Sequence, residues 1–167
     1  VGKSTLLNRI IGEKIAITTR KPQTTRNRIT GIKNAPEGQC IFIDTPGIHR
    51  AKTPLGRSLV STALKALSEV DIILFMVEAA RRISRDDSLV LEALSGTSTP
   101  VFLAINKIDQ VTKEDLLPLI DRMKELHPFE TIIPLSALTG FNVDVLLSEL
   151  WKRLPEGPAF FPEDMMT

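Results

Sequence analysis

The chain has little of what marks secreted, membrane-spanning or strongly nucleic-acid-binding proteins. Its single cysteine, Cys40, excludes an internal disulfide and fits a reducing cytoplasm. The formal net charge is only +1, whereas dedicated RNA-binding domains usually show a clear basic excess. No apolar run approaches the length needed to cross a bilayer. What remains is a globular domain, and 167 residues with 43% hydrophobic content are enough for one domain with its own core.

Short apolar runs along the chain predict the strands of one sheet. Three nearly unbroken runs, Ile72–Val77, Val101–Ile105 and Ile132–Leu135, suit parallel strands that are covered on both faces. Two further segments, Ile29–Lys33 and Cys40–Ile43, flank a turn that contains proline and glycine, which predicts a hairpin with one antiparallel edge.

Helical patterns fill the gaps between these runs. Apolar residues recur with the helical period in the stretches Leu59–Leu67 and Val143–Leu154. Two pairs at capping-box spacing predict the starts of two more helices: Ser84 with Asp87, and Thr112 with Asp115. Alternating strands and helices predict an α/β domain with a mostly parallel sheet in three layers.

The first motif is the second half of a phosphate-binding loop, G-x-x-x-x-G-K-[ST], and it reads Val1-Gly2-Lys3-Ser4-Thr5. Such a loop points backbone N–H groups and a helix N-terminus at phosphates. Lys3 would reach the β- and γ-phosphates, and the Ser4 hydroxyl would bind Mg²⁺. A bare G-K-S is common by chance, so this motif alone is equally typical of a helix start rich in small residues.

The second motif is Asp44-Thr45-Pro46-Gly47, directly after the predicted strand Cys40–Ile43. An aspartate at the carboxyl end of a strand can hold Mg²⁺, often through water. Gly47 would let its backbone N–H approach a γ-phosphate. Taken singly, an ordinary Pro-Gly turn explains this motif about as well.

The third motif, Asn106-Lys107-Ile108-Asp109, predicts the choice of base. Guanine presents N1–H and N2–H₂ side by side, and one carboxylate can accept from both, whereas adenine offers no such donor pair. Asp109 would therefore select guanine, because a mismatched base leaves polar groups unpaired. Asn106 would bond the base and brace neighbouring loops, and the Lys107 stem would lie along the ring. A solvated turn is the alternative for any single N-K-x-D tetrapeptide.

The fourth motif, Ser136-Ala137-Leu138, follows the predicted strand Ile132–Leu135 and would place the Ala137 N–H against guanine O6. Alone it is nearly uninformative, but the order of the four motifs is not. Each intact motif sits just past the carboxyl end of a predicted strand, where open α/β sheets bind their ligands. The set predicts a site for a guanine nucleotide.

That order resembles the Ras-like, translation-factor-related GTPases, and the segments between the motifs resemble the Era-type GTPases of the TrmE-Era-EngA-like branch. Lys21–Arg28 looks like the first switch of that family, and Asp44–His49 looks like the second. Gly157–Asp164 resembles the stretch that leads into the family's C-terminal KH domain. The resemblance covers nearly the whole chain.

The resemblance implies a three-layer Ras-like P-loop NTPase fold, with a mostly parallel sheet, one antiparallel edge strand and the first strand missing. Residues 1–154 would be a G domain that is incomplete at its N-terminus. Residues 155–167 would be a linker toward an absent C-terminal KH domain. Since Val1 stands inside a motif, we expect a fragment of a longer protein. Without the central first strand, two neighbouring strands would keep unpaired backbone groups, so we expect weak stability and poor nucleotide binding.

The resemblance also implies an activity: hydrolysis of GTP to GDP and phosphate, in assembly of the small ribosomal subunit and maturation of its RNA. GTP, GDP and, through the KH domain, small-subunit ribosomal RNA and the small subunit would be the partners of a monomeric, cytoplasmic protein. Peripheral placement at the inner membrane is the alternative location. Two other functions stay open: a nucleotide-gated assembly factor whose main act is binding, and a tRNA-modifying or tandem-G-domain GTPase of the same branch.

Residue roles follow from the resemblance. Thr25, with Thr24 as the fallback, would be the switch ligand of Mg²⁺. Ile48 stands where Ras-type enzymes carry a water-orienting glutamine, and an isoleucine cannot orient water by hydrogen bonding. We therefore expect slow turnover that depends on Lys3, Thr25 and Mg²⁺, with help from K⁺ or a partner. His49 would be an exposed switch residue without a catalytic role.

The expected site residues fall into three groups. Those that bind the nucleotide are Gly2, Lys3, Ser4, Thr5, Asp44, Gly47, Asn106, Lys107, Asp109, Ser136 and Ala137. Those that hold the metal are Ser4, Thr25 and Asp44. Those that act in catalysis are Lys3 and Thr25.

Overall fold

The computed structural model describes residues 2–12, 29–44, 67–80 and 82–157. Several predicted segments lie outside these residues. They are the first switch, Lys21–Arg28, the second switch after Asp44, the helix that begins at Leu59 except for Leu67, and most of the exit linker. No helix in the described ranges is long and apolar enough to span a membrane.

Five strands and four helices make up the described fold. The strands are β1 Ile29–Ala35, β2 Gly38–Ile43, β3 Ile73–Glu78, β4 Val101–Asn106 and β5 Thr131–Pro134. The helices are α1 Lys3–Ile11, α2 Arg85–Leu94, α3 Lys113–Leu126 and α4 Val143–Arg153. Short 3₁₀ turns cover Leu67–Glu69 and Ile108–Gln110.

Both predicted helix caps are present. The Ser84 hydroxyl accepts a hydrogen bond from the Asp87 N–H at 3.0 Å at the start of α2. The Thr112 hydroxyl accepts from the Asp115 N–H at 3.3 Å at the start of α3. Each cap satisfies an N–H that has no partner within its helix, so these two starts are encoded locally in the sequence.

Strand pairing brings the ends of three strands to one edge. β1 and β2 form the predicted antiparallel hairpin, with Ala35 opposite Gly38. β3, β4 and β5 are parallel, with Glu78 opposite Asn106 and Ile105 opposite Pro134. The loops that follow β3, β4 and β5 therefore leave the sheet side by side, which is where parallel sheets build ligand sites.

The two faces of β4 carry the two halves of the core. All six of its residues are buried, as expected for a strand covered on both sides. Leu103 and Ile105 pack toward α2 and α3, where Met123 is fully buried. Phe102 and Ala104 pack toward α1 and α4. The sheet thus forms the middle of three layers and holds the loops at its edge in fixed positions.

A cavity of about 440 Å³ lies between the hairpin and the parallel sheet. Its lining includes Phe42 of β2, Phe75 of β3 and Leu6 of α1. Within the described ranges, β2 pairs only with β1, and β3 pairs only with β4. The cavity is therefore bounded by β2 of one sheet and β3 of the other.

Cys40 of β2 also lines this cavity. Burial, with a contribution from the Asp71 carboxylate, raises the pKa of its thiol to about 12. Since the thiolate is the nucleophilic form and this thiol stays protonated at neutral pH, Cys40 is a poor nucleophile there.

Candidate functional site

The first residues of α1 lie against the end of β4. Gly2 precedes the helix with a left-handed backbone, φ 88°. A Cβ on Gly2 would stand 2.3 Å from the amide nitrogen of Asn106. Only glycine combines this backbone angle with so close an approach. The remnant of the phosphate-binding loop thus contacts the predicted base-reading loop.

Lys3 begins α1, and its ammonium contacts the carboxylate of Asp44, the residue that follows β2. Both side chains are partly exposed, with accessible fractions of 41% and 29%. Ser4 and Thr5 are exposed on the first turn of the same helix. Lys3, predicted to bind phosphate, and Asp44, predicted to hold the metal, therefore meet although they lie on separate elements.

Asn106 closes β4 and is only 2% exposed. Its Oδ1 accepts a hydrogen bond from the Ala137 N–H at 2.9 Å. The predicted bracing role of Asn106 thus has a definite partner. The sequence predicts that the Ala137 N–H meets guanine O6. Since this N–H donates to Asn106 here, it would have to leave Asn106 in order to bind guanine O6.

Asp109 lies in the 3₁₀ turn after β4, and its Oδ1 accepts from the Ser136 hydroxyl at 2.8 Å. The Ser136 oxygen in turn accepts from the Thr139 N–H at 3.2 Å. Asp109 is exposed, whereas Ser136 is 1% exposed. A carboxylate has about four acceptor positions, so this contact leaves Asp109 able to accept from a ligand in solvent.

Lys107 has a left-handed backbone, φ 67°, which turns the chain sharply between Asn106 and Asp109. Its ammonium donates to Glu78 Oε1 at 2.6 Å. This hydrogen bond lowers the pKa of the Glu78 carboxyl. No chemistry is expected of Glu78 from the sequence. Its position at the end of a strand beside β4 is the one feature that could have indicated its contact with Lys107.

Arg9, in the last turn of α1, is a second residue that sequence reasoning missed. Its Nε donates to the Ala137 carbonyl at 2.7 Å, and its Nη2 donates to the Leu138 carbonyl. The two ends of α1 therefore contact two neighbouring parts of the predicted site. Gly2 lies against Asn106 at the end of β4, and Arg9 binds the loop that follows β5.

These contacts form one continuous path. It runs from Asp44 to Lys3, through the adjacent Gly2 to Asn106, and on to Ala137. Ser136, next to Ala137, extends the path to Asp109. Thr24, Thr25, Gly47, Ile48 and His49 lie outside the described residues.

Replacing Asn106 with Ala should destabilise the base-reading loop. The change leaves the Ala137 N–H without its partner, which costs about 1–3 kcal/mol at a buried position. We expect a thermal midpoint several degrees lower and weaker nucleotide binding, measured by calorimetry. Asn8→Ala, on the exposed face of α1, is the matched control and should change neither quantity. An Asn106 variant that behaves like the control would remove the bracing role.

A family model described as "50S ribosome-binding GTPase" matches residues 1–107. The chain belongs to this GTPase family. The match includes the phosphate-binding remnant and Asp44, and it ends at Lys107, inside the base-reading motif.

Curated relatives bear the name GTPase Era. The chain is 57% identical over 167 residues to GTPase Era of Syntrophus aciditrophicus and 52% identical to that of Geobacter metallireducens. Each match covers 100% of the chain but only 55% and 56% of the relative. The Era-type resemblance is therefore confirmed, and the chain spans about half the length of these relatives.

Solved Era structures share the fold. One is Era in complex with MgGDPNP and nucleotides 1506–1542 of 16S ribosomal RNA, at TM-score 0.79 and 43% identity. Another is the Y63A variant of Aquifex aeolicus Era bound to GDP·AlF₄⁻, at TM-score 0.75 and 42% identity. Each match covers 99% of the chain and 57% of the solved chain. The predicted P-loop GTPase fold is confirmed.

Proposed function

We propose that this chain is the nucleotide-binding part of an Era-type GTPase, which hydrolyses GTP to GDP and phosphate. The observation that carries the proposal is the path of contacts from Asp44 and Lys3 to Asp109. It links the Lys3 ammonium to the exposed Asp109 carboxylate along the edge where β4 ends. A guanine nucleotide bound along this edge would meet both groups.

Lys3 would act on the phosphates. In hydrolysis, water attacks the γ-phosphorus, the bond to the β–γ bridging oxygen breaks, and negative charge moves onto the departing β-phosphate. An ammonium held beside these oxygens stabilises that charge. Lys3 now contacts Asp44. We infer that a triphosphate competes for this ammonium and frees the Asp44 carboxylate for a cation.

Oxygen donors at this point fit Mg²⁺, which prefers carboxylate, hydroxyl and phosphate oxygens. Asp44 and Ser4 would hold the ion, with Thr25 as the proposed third ligand. Bound there, Mg²⁺ would neutralise charge on the β- and γ-phosphates. Two Era relatives have been solved with MgGDPNP and with GDP·AlF₄⁻, which supports nucleotide chemistry of this kind. A role for K⁺ stays a proposal from the resemblance.

The proposed biological role is assembly of the small ribosomal subunit and maturation of its RNA. Support comes from the Era relative solved with a 16S ribosomal RNA fragment. Because the chain carries a net charge of only +1, we assign RNA binding to a KH domain in the longer protein. We propose a cytoplasmic monomer, in which nucleotide state orders the switch segments and so biases contact with the ribosomal subunit.

Single-turnover hydrolysis of GTP and of ATP, with and without small ribosomal subunits, tests the proposal. We expect release of phosphate from GTP but not from ATP, and faster release when subunits are present. Equal release from both nucleotides would overturn the assignment. Tight GTP binding with no hydrolysis under either condition would favour the nucleotide-gated assembly factor instead.

A further inference from the structure

Arg9 joins two parts of the site that are far apart in sequence. It lies 128 residues before Ala137, yet its Nε donates to the Ala137 carbonyl at 2.7 Å. Its Nη2 donates to the next carbonyl, that of Leu138. A planar guanidinium can donate to two neighbouring acceptors at once in a fixed geometry, which an ammonium cannot do.

The loop that receives these bonds is held from several directions. Asn106 of β4 accepts from the Ala137 N–H, and Asp109 accepts from the Ser136 hydroxyl. Arg9 binds the carbonyls of Ala137 and Leu138, which belong to the next two peptide groups along the chain. Consecutive peptide groups of this loop are therefore held by β4, through Asn106, and by α1, through Arg9.

Gly140 lies beside the guanidinium of Arg9, so a side chain at position 140 would have to displace it. Gly140 has φ 86°, and a Cβ there would stand 2.9 Å from Arg9 Nη1. Glycine adopts that backbone angle without strain, so the loop can close directly over the arginine. Arg9 and Gly140 together fit the loop to the end of α1.

We propose that Arg9 is a positioning residue for guanine recognition. By fastening the Ala137 and Leu138 carbonyls to α1, it orients the loop whose Ser136 holds Asp109. Since α1 also begins with Lys3, the same helix ties the phosphate-binding end of the nucleotide site to the guanine end. The inference rests on the proposed function, because it concerns how that site reads its base.

The test replaces Arg9 with Gln and, separately, with Lys in the longer Era-type protein to which this chain is proposed to belong. We measure GDP dissociation with a fluorescent GDP, and KM and kcat for GTP hydrolysis. Arg9→Gln should raise KM and the GDP dissociation rate by about tenfold, because two hydrogen bonds to the loop are lost. The kcat should change by less than about twofold, because Lys3 and Asp44 keep their places. Arg9→Lys should fall between the wild type and Arg9→Gln.

The matched control is Arg122→Gln, an exposed arginine on α3. It should leave both constants unchanged. Amide hydrogen exchange supplies a readout that general destabilisation would not reproduce. In Arg9→Gln, exchange should speed up at Ala137 and Thr139 but not in α2.

Three other results would each contradict either the positioning role of Arg9 or the proposed function. Unchanged KM and GDP dissociation in Arg9→Gln would overturn the positioning role while leaving the proposed function intact. A lower kcat, a higher KM and faster hydrogen exchange throughout the domain, all together, would show that Arg9 only stabilises the fold. A wild-type chain that binds ATP as tightly as GTP would overturn the proposed function, and the inference with it.

Discussion

Asp109→Asn should weaken GTP binding by about two orders of magnitude or more and make xanthosine triphosphate the preferred nucleotide. The carboxylate would accept two hydrogen bonds from guanine, and each hydrogen bond to a charged group contributes about 1.5–3 kcal/mol. An asparagine amide can accept one of them but opposes the second with its own donors. Xanthine carries a carbonyl where guanine has its amino group, so the new amide donor would find an acceptor.

Calorimetric titration with GTP and xanthosine triphosphate measures the change in preference. Asp121→Asn, an exposed aspartate on α3, is the matched control and should bind both nucleotides like the wild type. Ser136→Ala should have a smaller effect, because it removes only the hydroxyl that donates to Asp109 at 2.8 Å. If Asp109→Asn keeps the nucleotide preference of the wild type, this aspartate does not read the base.

A strand fused upstream of Val1 should raise both the stability of the chain and its affinity for GTP. The cavity of about 440 Å³ between β2 and β3 is bounded by apolar side chains and by an edge from each sheet. An added strand would pair with both edges, and each backbone hydrogen bond regained contributes about 0.5–1.5 kcal/mol. With several such bonds and the apolar burial, we expect the thermal midpoint to rise by about 10 °C or more.

The affinity should rise because the added residues would also complete the phosphate-binding loop ahead of Gly2. A Gly/Ser-rich extension of equal length is the control, since it adds chain without a strand pattern. Thermal melts and GTP titrations compare the three proteins. Equal melting midpoints for the apolar and the Gly/Ser-rich extensions would show that the cavity does not accept a strand.

Much of the fold could be predicted because its signals are local. The buried strand β4 is an unbroken apolar run, and the caps at Ser84 and Thr112 lie three residues from the N–H groups they accept from. The meeting of Asn106 with the loop at Ala137 could be expected too. Asn106 ends one parallel strand and Ala137 comes after its neighbour, and the carboxyl ends of parallel strands share one edge.

The contacts that could not be predicted depend on how elements pack. Arg9 reaches Ala137 because α1 packs in the same core cluster as β5 and α4, and no spacing in the sequence encodes that packing. The Lys107–Glu78 pair depends on the register between β3 and β4.

We propose that the loops bearing Lys3, Asp44 and Asp109 bind one and the same nucleotide. Backbone amide NMR during a titration with Mg²⁺ and GDP tests it most directly. We expect the amide signals of Lys3, Asp44 and Ala137 to shift together, with one dissociation constant, and ADP to leave them unmoved. Shifts that follow different constants, or that stay within a single loop, would contradict it.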